Sequence, residues 1–106
     1  MRGLKKRRIV SIAEFSIHPI GIGTSVGEYV KQALQAISKI EGLDYEVTPM
    51  ATILEAKDVQ TILRAVEASH SALRVRGAKR VSSTLRIDER LDKPRMMKDK
   101  TDSVTD

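Results

Sequence analysis

Apolar residues along this chain follow two rhythms. Between Ile9 and Ile17 they alternate with small or polar residues. This places Ser11, Ala13, Phe15 and Ile17 on one side of a predicted strand and Val10, Ile12, Glu14 and Ser16 on the other. From about Ser25 to Glu41 the period changes. Val26, Tyr29, Val30, Ala33, Leu34, Ile37 and Ile40 recur at helical spacing. Tyr45–Met50 and Ala51–Leu54 read as a second and a third strand. Val59, Ile62, Leu63, Val66, His70 and Leu73 form the stripe of a second helix. Arg80–Asp88 alternates again, with Val81, Ser83, Leu85 and Ile87 opposite Ser82, Thr84 and Arg86. The order β-α-β-β-α-β predicts an α+β, ferredoxin-like sandwich: a four-stranded antiparallel sheet with both helices on one face. The other face is then open. Ile12 and Val10 beside Glu14, Ser16 and Arg86 give it the mixed character of a surface that packs on another subunit.

The punctuation agrees with these elements. Ser25 with Glu28 three residues on forms a capping box at the start of the first helix. Gly42 can end that helix in the left-handed conformation. Asp58 is a cap for the second helix and Gly77 its stop. Pro49 cannot donate to a ladder, so it belongs on an edge or at the bend between strands two and three. Three parts result: a basic arm over residues 1–8, a ferredoxin-like domain over 9–92 and a charged tail over 93–106. In the tail, Met97, Thr101 and Val104 are spaced for one face of a short docking helix.

Charge changes this picture little. The formal net charge is +5, but Arg2, Lys5, Lys6, Arg7 and Arg8 supply five positives. The other fourteen basic residues balance the fourteen acidic ones. The body is neutral, and Phe15, Tyr29 and Tyr45 are its only aromatics. A nucleic-acid surface needs a basic face, often with stacking rings, so the composition argues against that partner. No stretch approaches the ~18 apolar residues of a membrane span. The charged start is not followed by the apolar run of a secretory signal. With no cysteine, disulfides and thiolate metal sites are excluded. The expected location is the cytoplasm.

Catalytic patterns are sparse. His18 and His70 are the only histidines, and nothing in the spacing brings them together, so no metal site is expected. His70 reads as a core-edge histidine bonded to a backbone group. There is no G-x-S-x-G elbow, and Ser16 and His18 are expected on opposite sides of their segment. Gly21 and Gly23 lack the third glycine of a dinucleotide fingerprint and read first as a flexible turn. The turn leads into a helix start, however, and free amides there can hold an anion or a polar ligand. Glu14 near the end of a central strand needs a partner. This is either Arg86 across the same face or a ligand. Thr48 and Thr52 flank the Pro49–Met50 bend and offer hydroxyls, although threonine is also an ordinary strand residue.

Three segments taken together resemble the YkoF-like thiamine-binding protein family, in particular its small single-domain members. They are Glu14–Val30 with its Pro19-Ile20-Gly21 turn and following Ser25-Val26, Tyr45–Ala56 with its Pro49-Met50-Ala51-Thr52 bend, and Arg80–Arg90 with Leu85-Arg86-Ile87-Asp88. The likeness runs from about Ile9 to Val104. Relatives commonly have glycine where this chain has Ala51 and Ala56, and glutamate where it has Ser71. The resemblance implies a homotetramer built from dimers by pairing sheets and packing their open faces. It also implies non-catalytic binding of thiamine or its hydroxymethylpyrimidine part, with no cofactor and no metal. Glu14, Ser16, Gly23, Ser25, Thr48 and Thr52 are the candidate ligand-binding residues, at a site between subunits. Glu14 could accept from the aminopyrimidine or balance the thiazolium cation, and Phe15 or Tyr45 could stack on a ring. The alternative is a regulatory or protein-interaction tetramer without a small ligand. A phosphorylated-pyrimidine enzyme using Thr24 and Ser25 ranks last, since catalysis is not expected.

Overall fold

A computed structural model describes residues 11–21, 23 and 26–91. The arm over 1–8, Val10, Ser25 and the tail over 93–106 lie outside the described residues, as does the predicted tail helix.

The elements follow the predicted order: β1 (Ser11–Pro19), α1 (Val26–Ser38), β2 (Asp44–Val47), β3 (Thr52–Ala56), α2 (Val59–Arg76) and β4 (Val81–Glu89). The four strands form one sheet in the order β2-β3-β1-β4, and every neighbouring pair is antiparallel. β1 and β3 are the two inner strands. Ser11, Ala13 and Phe15 are buried on the side of the helices, while Glu14 and Ser16 are exposed on the other.

The core lies between the sheet and the two helices. Ala13, Phe15, Leu54 and Ala56 of the sheet meet Ile37, Ile62 and Ala65 of the helices, together with Leu43. Ile17, Leu34, Tyr45, Leu85 and Ile87 pack at its margin. Burying each large aliphatic or aromatic side chain contributes roughly 1.5–3 kcal/mol, so this layer is what holds the helices to the sheet. Tyr29 and Glu28 of α1 also clasp Arg76 at the end of α2. The guanidinium lies 5.9 Å from the Tyr29 centroid and 3.4 Å from Glu28 Oε1.

The helix ends behave as their residues dictate. Asp58 Oδ1 accepts from the Thr61 N–H at 2.9 Å and from the Thr61 hydroxyl at 2.6 Å. Those two bonds, the hydroxyl's first, hold the Asp58 carboxyl below its ordinary value of 3.8. Gly77 closes α2 at φ 114°, with its N–H donating to Arg74 O at 3.0 Å. α1 ends at Ser38, three residues short of the expected Glu41. Its last turn tightens into three-residue bonds, Lys39 N–H to Ala36 O and Ile40 N–H to Ile37 O. Gly42 takes the expected positive φ, 86°, in the following turn.

The hairpin between β2 and β3 differs more from expectation. β2 stops at Val47 rather than Met50, and β3 reaches Ala56 rather than Leu54. The cause is Thr48. Its N–H donates to Ala51 O at 2.8 Å, and its hydroxyl donates to the same oxygen at 2.6 Å. The hydroxyl also accepts from the N–H groups of Ala51 and Met50 at 3.1 and 3.3 Å. These bonds fold the chain back at Pro49–Met50, so the proline sits at the bend.

Candidate functional site

The residues singled out by sequence are divided between the two faces of the sheet. On the helix side, a cleft of about 260 Å3 opens where the β2–β3 hairpin tip and α1 flank the end of β1. Its walls are the Val30, Leu34 and Ile37 face of α1 and Val47, Pro49 and Met50 of the hairpin, and Phe15 and Thr52 also line it. Val47 and Met50 are largely exposed at its lip.

Strand lengths create this cleft. β3 pairs with β1 only as far as Thr52 opposite Phe15, whereas β4 accompanies β1 through to Pro19. Beyond Phe15 the sheet therefore loses one neighbour, and the β1 edge at Ser16–Ile17 borders the cleft. Thr52 faces the same space, because its cross-strand partners Phe15 and Val47 lie on that face. Among the described residues its hydroxyl takes no hydrogen bond. Thr48 also lines the cleft, but its hydroxyl is spent on the turn. Phe15 is buried in the core and Tyr45 packs against it, so neither ring stands free as a stacking partner.

Glu14 and the Ser16 side chain are on the opposite face, because even positions of β1 point away from the helices. Glu14 is paired with Arg86 at 3.2 Å, and both side chains are well exposed. They rim a shallow depression of about 200 Å3 with Ile12, Ile53 and Asp88. A sheet lies between Glu14 and Thr52, so one small ligand cannot bridge them within a protomer. Gly23 is exposed in the turn before α1 at φ 82°.

Two histidine expectations need correction. β1 runs unbroken to Pro19, so Ser16 and His18, two residues apart, share a face rather than opposing each other. His70 Nε2 lies 2.7 Å from the Ser83 hydroxyl on β4, so its partner is a side chain and not a backbone group. The helix stripe points the ring at the inward face of β4, where a hydroxyl stands at that register. Among the described residues no three histidine or carboxylate side chains converge as a metal would require. No described helix is long and apolar enough to cross a membrane.

Fold and cleft together define a small ferredoxin-like α+β protein with a concave apolar site beside its central strand. Residues 13–105 match the family of thiamine-binding proteins, and the chain belongs to that family. It is 41% identical over 93 residues to a UPF0045 protein of Methanothermobacter thermautotrophicus, covering 87% of this chain and 93% of the relative. The crystal structure of hypothetical protein MJ1052 of Methanocaldococcus jannaschii superposes with a TM-score of 0.80 at 40% identity, covering 92% of this chain and 97% of that one. A Thermotoga maritima protein provisionally ascribed to thiamine biosynthesis or salvage shares the fold, with a TM-score of 0.74 at 23% identity, covering 89% and 97%.

Proposed function

We propose that this protein binds thiamine or a thiamine-like pyrimidine, without transforming it, in the cleft between α1 and the β2–β3 hairpin. The observation that carries this reading is the cleft itself, which suits a planar heterocycle better than a charged or extended ligand. Its walls are mostly apolar, it is partly open to solvent, and its polar groups are few and lie along the β1 edge and at Thr48 and Thr52. Membership of a family named for binding supports the ligand class. That opening leaves room for the cationic thiazolium to remain in water, so no buried counter-charge is needed.

The opposite sheet face serves assembly in this reading. Ile12 and Ile53 beside the Glu14–Arg86 pair give an apolar and charged patch suited to a second copy, and a homotetramer built from dimers would cover it. That same patch favours the second reading, an interaction protein whose oligomer is its working surface.

Titration calorimetry with thiamine and with hydroxymethylpyrimidine tests the first reading. Saturable binding near one ligand per protomer is expected, and Leu34→Trp, which fills the cleft, should remove it. Absence of both heat and thermal shift at millimolar ligand would end the claim. Light scattering tests assembly, and a clean monomer at micromolar concentration would defeat it.

A further inference from the structure

The backbone register of β1 isolates one residue. The Ile20 N–H donates to Arg80 O at 2.9 Å, and the β1–β4 register continues through that pair. In an antiparallel ladder, the N–H and C=O of one residue point to the same neighbouring strand, and successive residues alternate between neighbours. Even residues of β1 therefore bond to β4, and odd residues face β3. The hairpin gives the same parity independently. Thr48 bonds to Ala51, so the odd positions of β3 face β2, and Thr52, Leu54 and Ala56 face β1.

Ser11, Ala13 and Phe15 find their partners on β3. Ile17 does not. The residue in register with it is Met50, which sits in the turn. Among the described residues nothing bonds to the Ile17 N–H or C=O, and Ile17 is one of the residues that line the apolar cleft. The next odd residue is Pro19, which has no N–H to offer. The unfilled edge is thus one residue long. That is too short for an added strand, which gains its affinity from several successive backbone bonds.

We infer that the Ile17 N–H and C=O form the specificity element of the cleft, reading a heteroaromatic ring that carries an acceptor nitrogen next to an amino donor. This rests on the pyrimidine reading above and deepens it. An aminopyrimidine presents a ring nitrogen and an exocyclic N–H side by side, complementary to one peptide residue's donor and acceptor. The Thr52 hydroxyl, on the same wall, supplies a third contact. Discrimination then comes from main chain, so side-chain changes around the cleft alter fit but leave the donor–acceptor preference intact. A ring lacking the amino group leaves the Ile17 C=O without a donor in an apolar setting, which weakens binding roughly tenfold.

The test is amide-resolved NMR of the full chain, titrated with 4-amino-5-hydroxymethyl-2-methylpyrimidine and with its analogue lacking the amino group. The amino compound should move the Ile17 amide downfield and protect it from exchange, and the analogue should bind roughly tenfold more weakly. Ile17→Pro removes the N–H together with the isoleucine side chain at the core margin but keeps the C=O. Once thermal unfolding shows that it folds, it should bind both compounds more weakly while the amino compound keeps its advantage, and unchanged affinity would overturn the inference. If cleft methyls of Val30 and Leu34 respond while the Ile17 amide stays unmoved, the inference is overturned and the binding reading stands. If neither compound moves those methyls, the binding reading falls and takes this with it. Protection of the Ile17 amide without ligand, growing with protein concentration, would assign the edge to another chain and overturn the inference.

Discussion

Thr48→Val separates two roles for one hydroxyl. By sequence Thr48 is a candidate ligand contact; by geometry its hydroxyl is consumed in closing the β2–β3 turn. Valine keeps the shape and β-branching and removes only the oxygen. Three contacts go with it: a donated bond to Ala51 O at 2.6 Å and bonds accepted from Ala51 and Met50 at 3.1 and 3.3 Å. The Met50 bond is long and exposed, so water replaces it. The two bonds to Ala51 are partly buried, and each contributes about 1 kcal/mol net. The Thr48 N–H bond to Ala51 O at 2.8 Å survives, so the hairpin loosens rather than opens. The expected cost is about 1–2 kcal/mol, with each kcal/mol lowering Tm by roughly 4–8 °C for a domain near this size. Urea denaturation should show a lower midpoint at unchanged m, and Thr48→Ser should restore most of it. Pyrimidine affinity should fall by less than roughly threefold, short of the tenfold that a lost direct bond gives. A valine variant of native stability that loses binding tenfold would refute this assignment and return the hydroxyl to the ligand.

Three further outcomes follow from the same structure. Asp58→Ala should cost about 1 kcal/mol at neutral pH by leaving the first turn of α2 uncapped. Because the folded-state value is depressed, that stability is present above the ordinary 3.8 and is lost as pH falls through the lowered value; denaturation of both proteins should converge there, and a constant gap down to pH 2 would contradict it. Gly77→Ala should destabilise by about 1–2 kcal/mol, measured by thermal unfolding. The added methyl meets nothing within 4 Å, and the whole cost lies in holding alanine at φ 114°. Glu14→Ala should change monomer stability by less than about 0.5 kcal/mol, because its pair with Arg86 is exposed. It should also leave pyrimidine binding in the cleft unchanged, and a tenfold loss measured by calorimetry would place the ligand on the other face.

Much of the architecture was legible because it follows from local rules. Alternation fixed which side of β1 and β4 is buried, and Asp58 and Gly77 marked the bounds of α2 through capping chemistry and backbone freedom. The hairpin was harder to read. Its strand limits depend on a side-chain bond from Thr48 that a propensity reading treats as one more β residue. The candidate site was legible only in fragments. Ser16, Thr48 and Thr52 all border the cleft, but the side chain of the first turns away, the second is occupied, and only Thr52 presents an available hydroxyl. Ile17 was placed on the same side of β1 as Ala13 and Phe15, and its side chain does pack at the margin of the core on that side. No residue type reports the direction of its N–H and C=O, and the signal that could have found them is the proline two positions later on the same edge.

The amino-acid order by itself determined the β-α-β-β-α-β succession, the buried stripes and the family to which the chain belongs, because periodicity and turn chemistry are read over a few residues at a time. The location of the cleft was decided by tertiary structure alone. It exists because β3 ends one ladder step before β1 needs it to and α1 walls the gap, a mismatch between segments some thirty residues apart that no local pattern records. The same packing placed Glu14 and Thr52 on opposite sides of the sheet, separating residues that the sequence reading had gathered at one ligand.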